Sequence, residues 1–155
     1  VTPALDGWTL VVSAGLFDEL SDADPGRLVT FVTDLARRLG TEVQLFGTHR
    51  VVEGHAWARA DTEGLQRAYY YLGEVGECLL DKGAPTPVEG SVDLDPPEDS
   101  VMEVARAWSL DPTRVEEDHP DVGEGWLGRL DSPESTMPDD GAASEGVPRP
   151  WWSFW

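Results

Sequence analysis

The stretch HRVVEGHAWARADTEGLQRAYYYLGEVGECLL, residues 49–80, predicts the centre of the fold. Three segments are predicted as strands: 50–60 and 65–72, which carry β-branched and aromatic residues, and the short apolar segment 77–80. The two short gaps between these segments contain acidic residues and glycine, a composition typical of tight turns. Strands joined by such turns form hairpins, so we expect an antiparallel β-meander.

Two further strands are predicted before the meander. Residues 8–14 are almost continuously apolar, which is typical of a buried central strand, and 15–23 then predict a loop. Residues 42–46 alternate polar and apolar side chains, and 47–49 predict a turn or a bulge. The sheet should therefore contain about five strands.

Two main helices are predicted from their spacing and end signals. The first begins at Asp24 and Pro25, whose side chain and fixed φ suit a helix start, and ends at Gly40. Its apolar stripe recurs at helical spacing: Leu28, Val32, Leu35 and Leu39. The second covers 97–108, where Glu98 can complete a capping box.

The order of a strand, a helix and then a run of hairpin-linked strands predicts an α+β domain with the helices on one face of the sheet. We place this domain at residues 1–115. Residues 116–155 form an acidic extension rich in Gly and Pro, which ends in a tryptophan-rich segment. That segment either folds back on the domain or docks on another chain, because four large aromatic residues rarely stay exposed.

The formal net charge is −19, from 30 acidic and 11 basic residues. Such a charge disfavours nucleic acid and anionic membrane surfaces, and it favours a basic protein partner. The chain lacks Ile and Asn, and Lys82 is its only lysine, a bias typical of a high-GC bacterial genome. The charge is therefore either functional or a background of that genome or of a salt-adapted proteome.

Residues suited to recognition concentrate in the meander and at the C-terminal end. Aromatic and arginine side chains could anchor a partner, and carboxylates could steer a cationic one. The predicted binding residues are Trp57, Arg59, Tyr69, Tyr71, Glu53, Asp61, Glu63, Glu74, Trp151, Trp152 and Trp155. The alternative is that Trp57 and the tyrosines fill the core between the sheet and the helices.

The pairing of the two central strands has two possible registers. A turn at 61–64 can set Ala58 opposite Arg67, or a shift by one residue can set Arg59 opposite Arg67. Like charges directly opposite each other cost stability, so we expect the first register.

His49, Glu53 and His55 share one parity, so an unbroken strand would point them to the same face. That set resembles a mixed metal site, but the flanking glycines Gly47 and Gly54 favour a bulge that would separate the histidines. We therefore expect no metal and no cofactor. The sequence also carries no nucleophile motif and no phosphate-binding loop, so we expect no enzyme activity.

Size and charge together predict a small acidic protein-binding module. The most specific version of this prediction is an inhibitor or immunity-type protein that covers a basic toxin or nuclease. Two alternatives stay open: an enzyme-like or small-molecule-binding domain with the sheet face as its pocket, and an accessory subunit that docks through its C-terminal arm. One cysteine and no apolar run long enough to span a membrane predict a cytoplasmic location. The oligomeric state is not predicted.

Overall fold

The computed structural model describes residues 1–21, 24–90 and 98–128. Residues 13–114 form one compact unit, and residues 1–12 group with residues 115–128 in a second. The tryptophan-rich segment with Trp151, Trp152 and Trp155 lies outside the described residues. The prediction for that segment therefore stays a prediction.

The larger unit is α+β with an antiparallel sheet, as the sequence predicts. Its helices are α1 (Leu16–Ser21), α2 (Gly26–Leu39) and α3 (Glu98–Trp108). Its strands are β1 (Val43–His49), β2 (Gly54–Ala60), β3 (Leu65–Leu72) and β4 (Glu77–Lys82), in the sheet order β1-β2-β3-β4. Two 3₁₀ helices cover Pro87–Gly90 and Pro112–Arg114. A short helix, α4 (Val115–Asp118), belongs to the smaller unit.

The helix α2 forms where its end signals predict it. An oxygen of the Asp24 carboxylate accepts a hydrogen bond from the N–H of Gly26 at 2.8 Å. At the other end, Gly40 adopts the left-handed conformation, with φ 69°, and its N–H donates to the carbonyl of Ala36. The helix α3 likewise matches the predicted range 97–108 to within one residue.

Each of the two helices packs on its own face of the sheet. The face toward α2 is built from small residues of β2 and β3, which pack on Leu28, Val32 and Ala36 of the helix: Ala56, Ala58, Ala60 and Ala68. The face toward α3 is aromatic, and Trp57 and Tyr69 pack there on Val101 and Val104. The prediction that both helices share one face is therefore wrong, because both faces of β2 are apolar and both must be buried.

Residues 8–14 do not form the predicted central strand. Trp8 makes only an isolated bridge with Leu5, closed by two hydrogen bonds across the turn at Asp6 and Gly7. Val11 is 63% exposed, so this apolar run is not buried as a central strand would be. Of the residues that the structure describes, four strands form the sheet instead of about five.

The predicted loop 15–23 and the predicted turn 47–49 are also corrected. Residues Leu16–Ser21 form α1, and the ring of Phe17 lies against Gly47 so closely that a Cβ there would approach it to 2.3 Å. Gly47 is thus in the middle of β1, where its missing side chain admits a packing aromatic ring. The turn follows at 50–53 and ends at Glu53, which has a φ of 52°.

The register between β2 and β3 is the one that we did not expect. Ala60 pairs with Leu65, but a register shift between Arg59 and Ala60 then sets Arg59 opposite Arg67 and Trp57 opposite Tyr69. The two cations tolerate this arrangement because each has its own compensating contact: Arg59 lies over the Trp108 ring, and Arg67 pairs with Glu89. Local charge pairing therefore did not decide the register.

Candidate functional site

Two of the predicted aromatic anchors form part of the core. The rings of Trp57 and Tyr69 stack with their centroids 4.6 Å apart, and these residues are 1% and 5% exposed. They fill the space under α3, as in the alternative considered from the sequence. Tyr71 packs on the same cluster but is only partly buried, so it is the predicted tyrosine that reaches the surface.

Arg59 lies over an aromatic ring of α3. Its guanidinium carbon is 5.0 Å from the ring centroid of Trp108, the geometry of a cation–π contact. The indole N–H of Trp108 donates in turn to the hydroxyl of Thr86 at 3.2 Å. The positive charge of Arg59 therefore interacts with the ring of Trp108 within the fold.

Arg67 is the centre of a buried polar network that was not predicted from the sequence. Its Nε and Nη2 both reach Oε2 of Glu89, at 2.7 and 2.6 Å, and its Nη1 reaches the carboxylate of Asp81. The same Nη1 also donates to the carbonyls of Lys82 and Gly83. The side chains of Arg67 and Glu89 are 3% and 2% exposed, so this ion pair is almost completely removed from water.

Opposing effects set the pKa values of this pair. Burial alone would raise the pKa of Glu89, but hydrogen bonds from Arg67 and from Thr86 outweigh burial and lower it. Burial alone would lower the pKa of Arg67, but Glu89 and Asp81 outweigh it and raise that pKa. Both groups are therefore charged in the folded protein across the neutral range.

Tyr69 carries its hydroxyl toward β4. Burial, first, and then the neighbouring Cys78 and Asp81 raise the pKa of Tyr69 to about 12. Cys78 itself is exposed, and its thiol donates to the carbonyl of Leu80 at 3.4 Å. The chemistry at this edge of the sheet is thus that of a neutral phenol beside a surface thiol.

The carboxylate of Asp61 stabilises the turn that begins at this residue. Its carboxylate accepts hydrogen bonds from the backbone N–H groups of Glu63, at 2.8 Å, and Gly64, at 3.1 Å, and from the side chain of Gln66. The Glu63 N–H contributes most to the lowered pKa of Asp61. Glu63 is exposed at the tip of the same turn.

Glu53 and Glu74 come together at the other end of the sheet. The N–H of Gly73 donates to the carbonyl of Glu53 at 3.0 Å, and the N–H of Glu74 donates to the carbonyl of Val52 at 3.1 Å. These bonds join the β1–β2 turn to the β3–β4 turn. We name the residues exposed there the acidic turn surface: Val51, Glu53, Glu74 and Val75.

The acidic turn surface combines charge with exposed apolar groups. Val51 and Val75 are 87% and 56% exposed. Tyr71 lies beside it, since it precedes the last residue of β3 and pairs with Cys78 of β4. The seven residues of β2 separate this surface from Glu63 by roughly 20 Å. The predicted acidic residues therefore form two separate groups.

The three residues of the suspected metal set do not converge. His49 ends β1, Glu53 lies in the following turn, and His55 belongs to β2. His55 Nδ1 lies 3.1 Å from the hydroxyl of Thr48, and His49 Nε2 lies 3.8 Å from Asp18. Among the described residues, no group of three or more His, Cys, Asp and Glu side chains could hold a metal ion.

A cleft lies in the smaller unit. It has a volume of about 440 Å³ and is open to solvent, and it contains His119, whose Nε2 lies 3.8 Å from a carboxylate oxygen of Asp6. Its other lining residues are Pro3, Ala4, Leu5, Pro120, Asp121 and Val122. None of these residues is among the binding residues predicted from the sequence.

Comparisons with protein-family models, with curated proteins and with solved structures gave no match. No helix in residues 1–21, 24–90 and 98–128 is long and apolar enough to cross a membrane.

Proposed function

We propose that this chain is a small acidic protein-binding module of the inhibitor or immunity type, which covers the basic surface of a toxin or nuclease. The proposal rests on the formal charge of −19 and on where the charged groups lie. An acidic surface accelerates the encounter with a cationic partner and disfavours anionic ones.

The single observation that supports it most is that exposed carboxylates of the larger unit are left without an ion pair, whereas its most buried arginine is neutralised within the fold. Arg67 pairs with Glu89 and Asp81, Arg106 pairs with Asp111, and Arg37 lies 3.7 Å from Asp34. By contrast, Glu53, Glu63 and Glu74 are exposed and form no ion pair with another described residue. Their negative charge is therefore directed to solvent, where a partner can meet it.

The acidic turn surface is the region best suited to the contact. Glu53 and Glu74 provide charge for steering, while Val51, Val75 and Tyr71 provide apolar area that a partner can cover. Apolar groups at the centre of an interface determine the off-rate, whereas charges at its rim act mainly on the on-rate. Tyr71 packs on the same core cluster as Trp57 and Tyr69.

The test is binding to a basic protein encoded beside this chain. The purified pair is measured by calorimetry at about 0.05 M and about 0.5 M salt. The proposal requires a complex at low salt that weakens strongly at high salt. A generic basic protein such as lysozyme serves as the control for non-specific charge attraction, and equal affinity for both proteins would contradict the proposal.

A matched pair of variants locates the contact. Glu53→Gln/Glu74→Gln and Glu19→Gln/Glu103→Gln each remove two exposed carboxylates, so both raise the net charge by the same amount. The first pair should weaken the complex about fivefold to tenfold, and the second should have a much smaller effect. Equal losses would place the contact elsewhere.

The alternative function, a small-molecule-binding or enzyme-like domain with the sheet face as its pocket, is restricted to part of the sheet. Helices α2 and α3 pack over opposite faces of β1 and β2, so a pocket with the sheet as its floor would have to lie over β3 and β4.

The docking-arm alternative concerns residues 116–155. Deleting 131–155 tests that alternative, because loss of partner binding in the shortened chain would assign the contact to the arm.

A further inference from the structure

The strand β4 is an open edge of the sheet. It comes last in the strand order, so it has a hydrogen-bonded strand on one side only. Five of its six side chains are exposed, and only Leu80 is buried. The opposite edge, β1, has mostly half-buried side chains and packs against α1, α2 and α3. Among the described residues, β4 is therefore the edge with backbone groups available to another strand.

The charges along β4 are arranged with opposite signs at opposite ends. The strand reads ECLLDK, with Glu77 first and Lys82 last. Asp81 is already paired with Arg67. Neither Glu77 nor Lys82 forms an ion pair with another described residue, although Lys82 is the only lysine of the chain. The free charges of this edge are therefore one anion and one cation, separated by the length of the strand.

We propose that two copies of this chain associate through their β4 edges, as antiparallel strands related by a two-fold axis. All six residues of both strands overlap in one register only. That register sets Glu77 opposite the partner's Lys82 at both ends, and Leu79 opposite the partner's Leu80 at the centre. Full overlap and charge complementarity, two independent criteria, therefore select the same register.

The faces of the side chains agree with this register. Within the sheet Glu77 pairs with Leu72 and Lys82 pairs with Ala68, and both of these neighbours pack in the cluster under α2. Glu77 and Lys82 therefore project to the same face, as residues directly opposite each other across an antiparallel pair must. Leu79, which is 38% exposed, would be covered at the centre of the pair.

Two features of this edge limit the affinity. A register shift between Tyr70 and Tyr71 marks an irregularity in the β3–β4 pairing, and such features protect edges from uncontrolled pairing. The net charge of each copy also opposes association at long range. A six-residue edge covers less than the roughly 1,200 Å² of a standard interface, so we expect a reversible dimer with a Kd on the order of 100 µM.

Sedimentation equilibrium of the full chain over a concentration series tests the dimer. The mass should rise from 17.0 kDa toward twice that value, and it should rise further at higher salt, because salt screens the repulsion between two anionic copies. A mass of 17.0 kDa at every concentration and salt would overturn the proposal.

Charge variants test the register. Glu77→Lys and Lys82→Glu should each weaken the dimer about tenfold or more, since each places like charges opposite one another twice. The exchange Glu77→Lys/Lys82→Glu should restore it. The controls Glu103→Lys and Arg38→Glu make the same charge changes at exposed positions outside β4, and they should not weaken it in this way. Pairing through this edge would be contradicted if the β4 variants left the dissociation constant of the dimer unchanged, or if the double variant did not restore it.

This pairing is independent of the proposed function. The dimer needs no other protein, and salt should strengthen it, whereas salt should weaken a complex with a basic partner. A negative result for the dimer therefore leaves the proposed function unaffected, and the reverse also holds. The opposite salt dependences distinguish the two results.

Discussion

Arg67 of β3 and Glu89 of the 3₁₀ helix Pro87–Gly90 form an ion pair that is almost completely buried. Two guanidinium nitrogens reach the same oxygen, Oε2, at 2.7 and 2.6 Å, while Oε1 of Glu89 accepts two hydrogen bonds from Thr86 at 2.8 Å. The pair thus ties the connection after β4 to the middle of the sheet. Because few of its polar atoms lack a partner, it can be tolerated in the core beside Trp57 and Tyr69.

Removing one member of this pair should be costly. We expect Arg67→Met to lower the free energy of unfolding by about 3–5 kcal/mol, because it leaves the Glu89 carboxylate buried without its cation. Urea denaturation measures the loss. Arg67→Met/Glu89→Leu should recover part of it, since no unpaired charge then remains.

The matched control is an exposed ion pair. Arg37 and Asp34 lie 3.7 Å apart and are more than half exposed, so Arg37→Met should cost about 0–1 kcal/mol. If Arg67→Met were no more destabilising than Arg37→Met, the buried pair would not have the role that its geometry indicates.

Acid should destabilise the fold partly through Glu89. The pKa of Glu89 in the folded protein lies below its ordinary value of 4.5. The carboxylate therefore contributes stability above pH 4.5, and this contribution is lost as the pH falls through the lowered pKa. Glu89→Gln should be less stable at neutral pH and should show a shallower decline in acid.

The acid decline should not vanish in that variant, because the pKa values of Asp61 and Asp111 are also lowered. Burial alone would raise the pKa of Asp111, but its hydrogen bonds with Thr113 and Arg106 outweigh burial. Unfolding free energies measured at intervals between pH 7 and pH 3 test this pattern. Identical slopes for the wild type and Glu89→Gln would argue against it.

Alkali should destabilise the fold through Tyr69. Its pKa is raised from 10.0 to about 12, so the folded state favours the neutral phenol. This contribution is complete below pH 10 and is lost as the pH rises toward 12. Tyr69→Phe should remove the slope of the unfolding free energy between pH 10 and pH 12, whereas Tyr71→Phe should retain it. A slope that persists in Tyr69→Phe would assign the alkaline loss to another group.

Gly83 is the most restricted glycine of the meander. Its φ is 81°, and a Cβ at this position would lie 2.1 Å from the backbone oxygen of Gln66. Gly83→Ala should therefore lower the free energy of unfolding by more than the cost of a strained backbone alone, which is about 1 kcal/mol, because the sheet itself must shift. Gly90 has no atom within 4 Å of such a Cβ, so Gly90→Ala is the control. Thermal unfolding of the two variants should differ clearly, and equal melting temperatures would contradict the close approach.

The elements with complete local signals were predictable from the sequence. The helix α2 has Asp24 and Gly40 at its ends and a regular apolar stripe, and the turns after Ala60 and Leu72 have their glycines. The prediction of a strand at residues 8–14 is wrong because apolar composition indicates burial in general and does not specify a strand partner.

The register and the polar network could not be predicted in the same way. Arg67 stands opposite Arg59 because its charge is neutralised by Glu89, which is 22 residues away in the chain. A rule on neighbouring charges cannot include such a partner. The burial of Trp57 and Tyr69 follows from the position of α3, which strand periodicity alone does not reveal.

The rate of association with a basic partner, measured by stopped flow across a range of ionic strength, tests the proposed function most directly. For the wild type the rate constant should fall steeply as salt rises, and Glu53→Gln/Glu74→Gln should show a lower rate at low salt and a shallower slope. An association rate that does not change with ionic strength, or that is the same in the two proteins, would contradict recognition through the acidic turn surface.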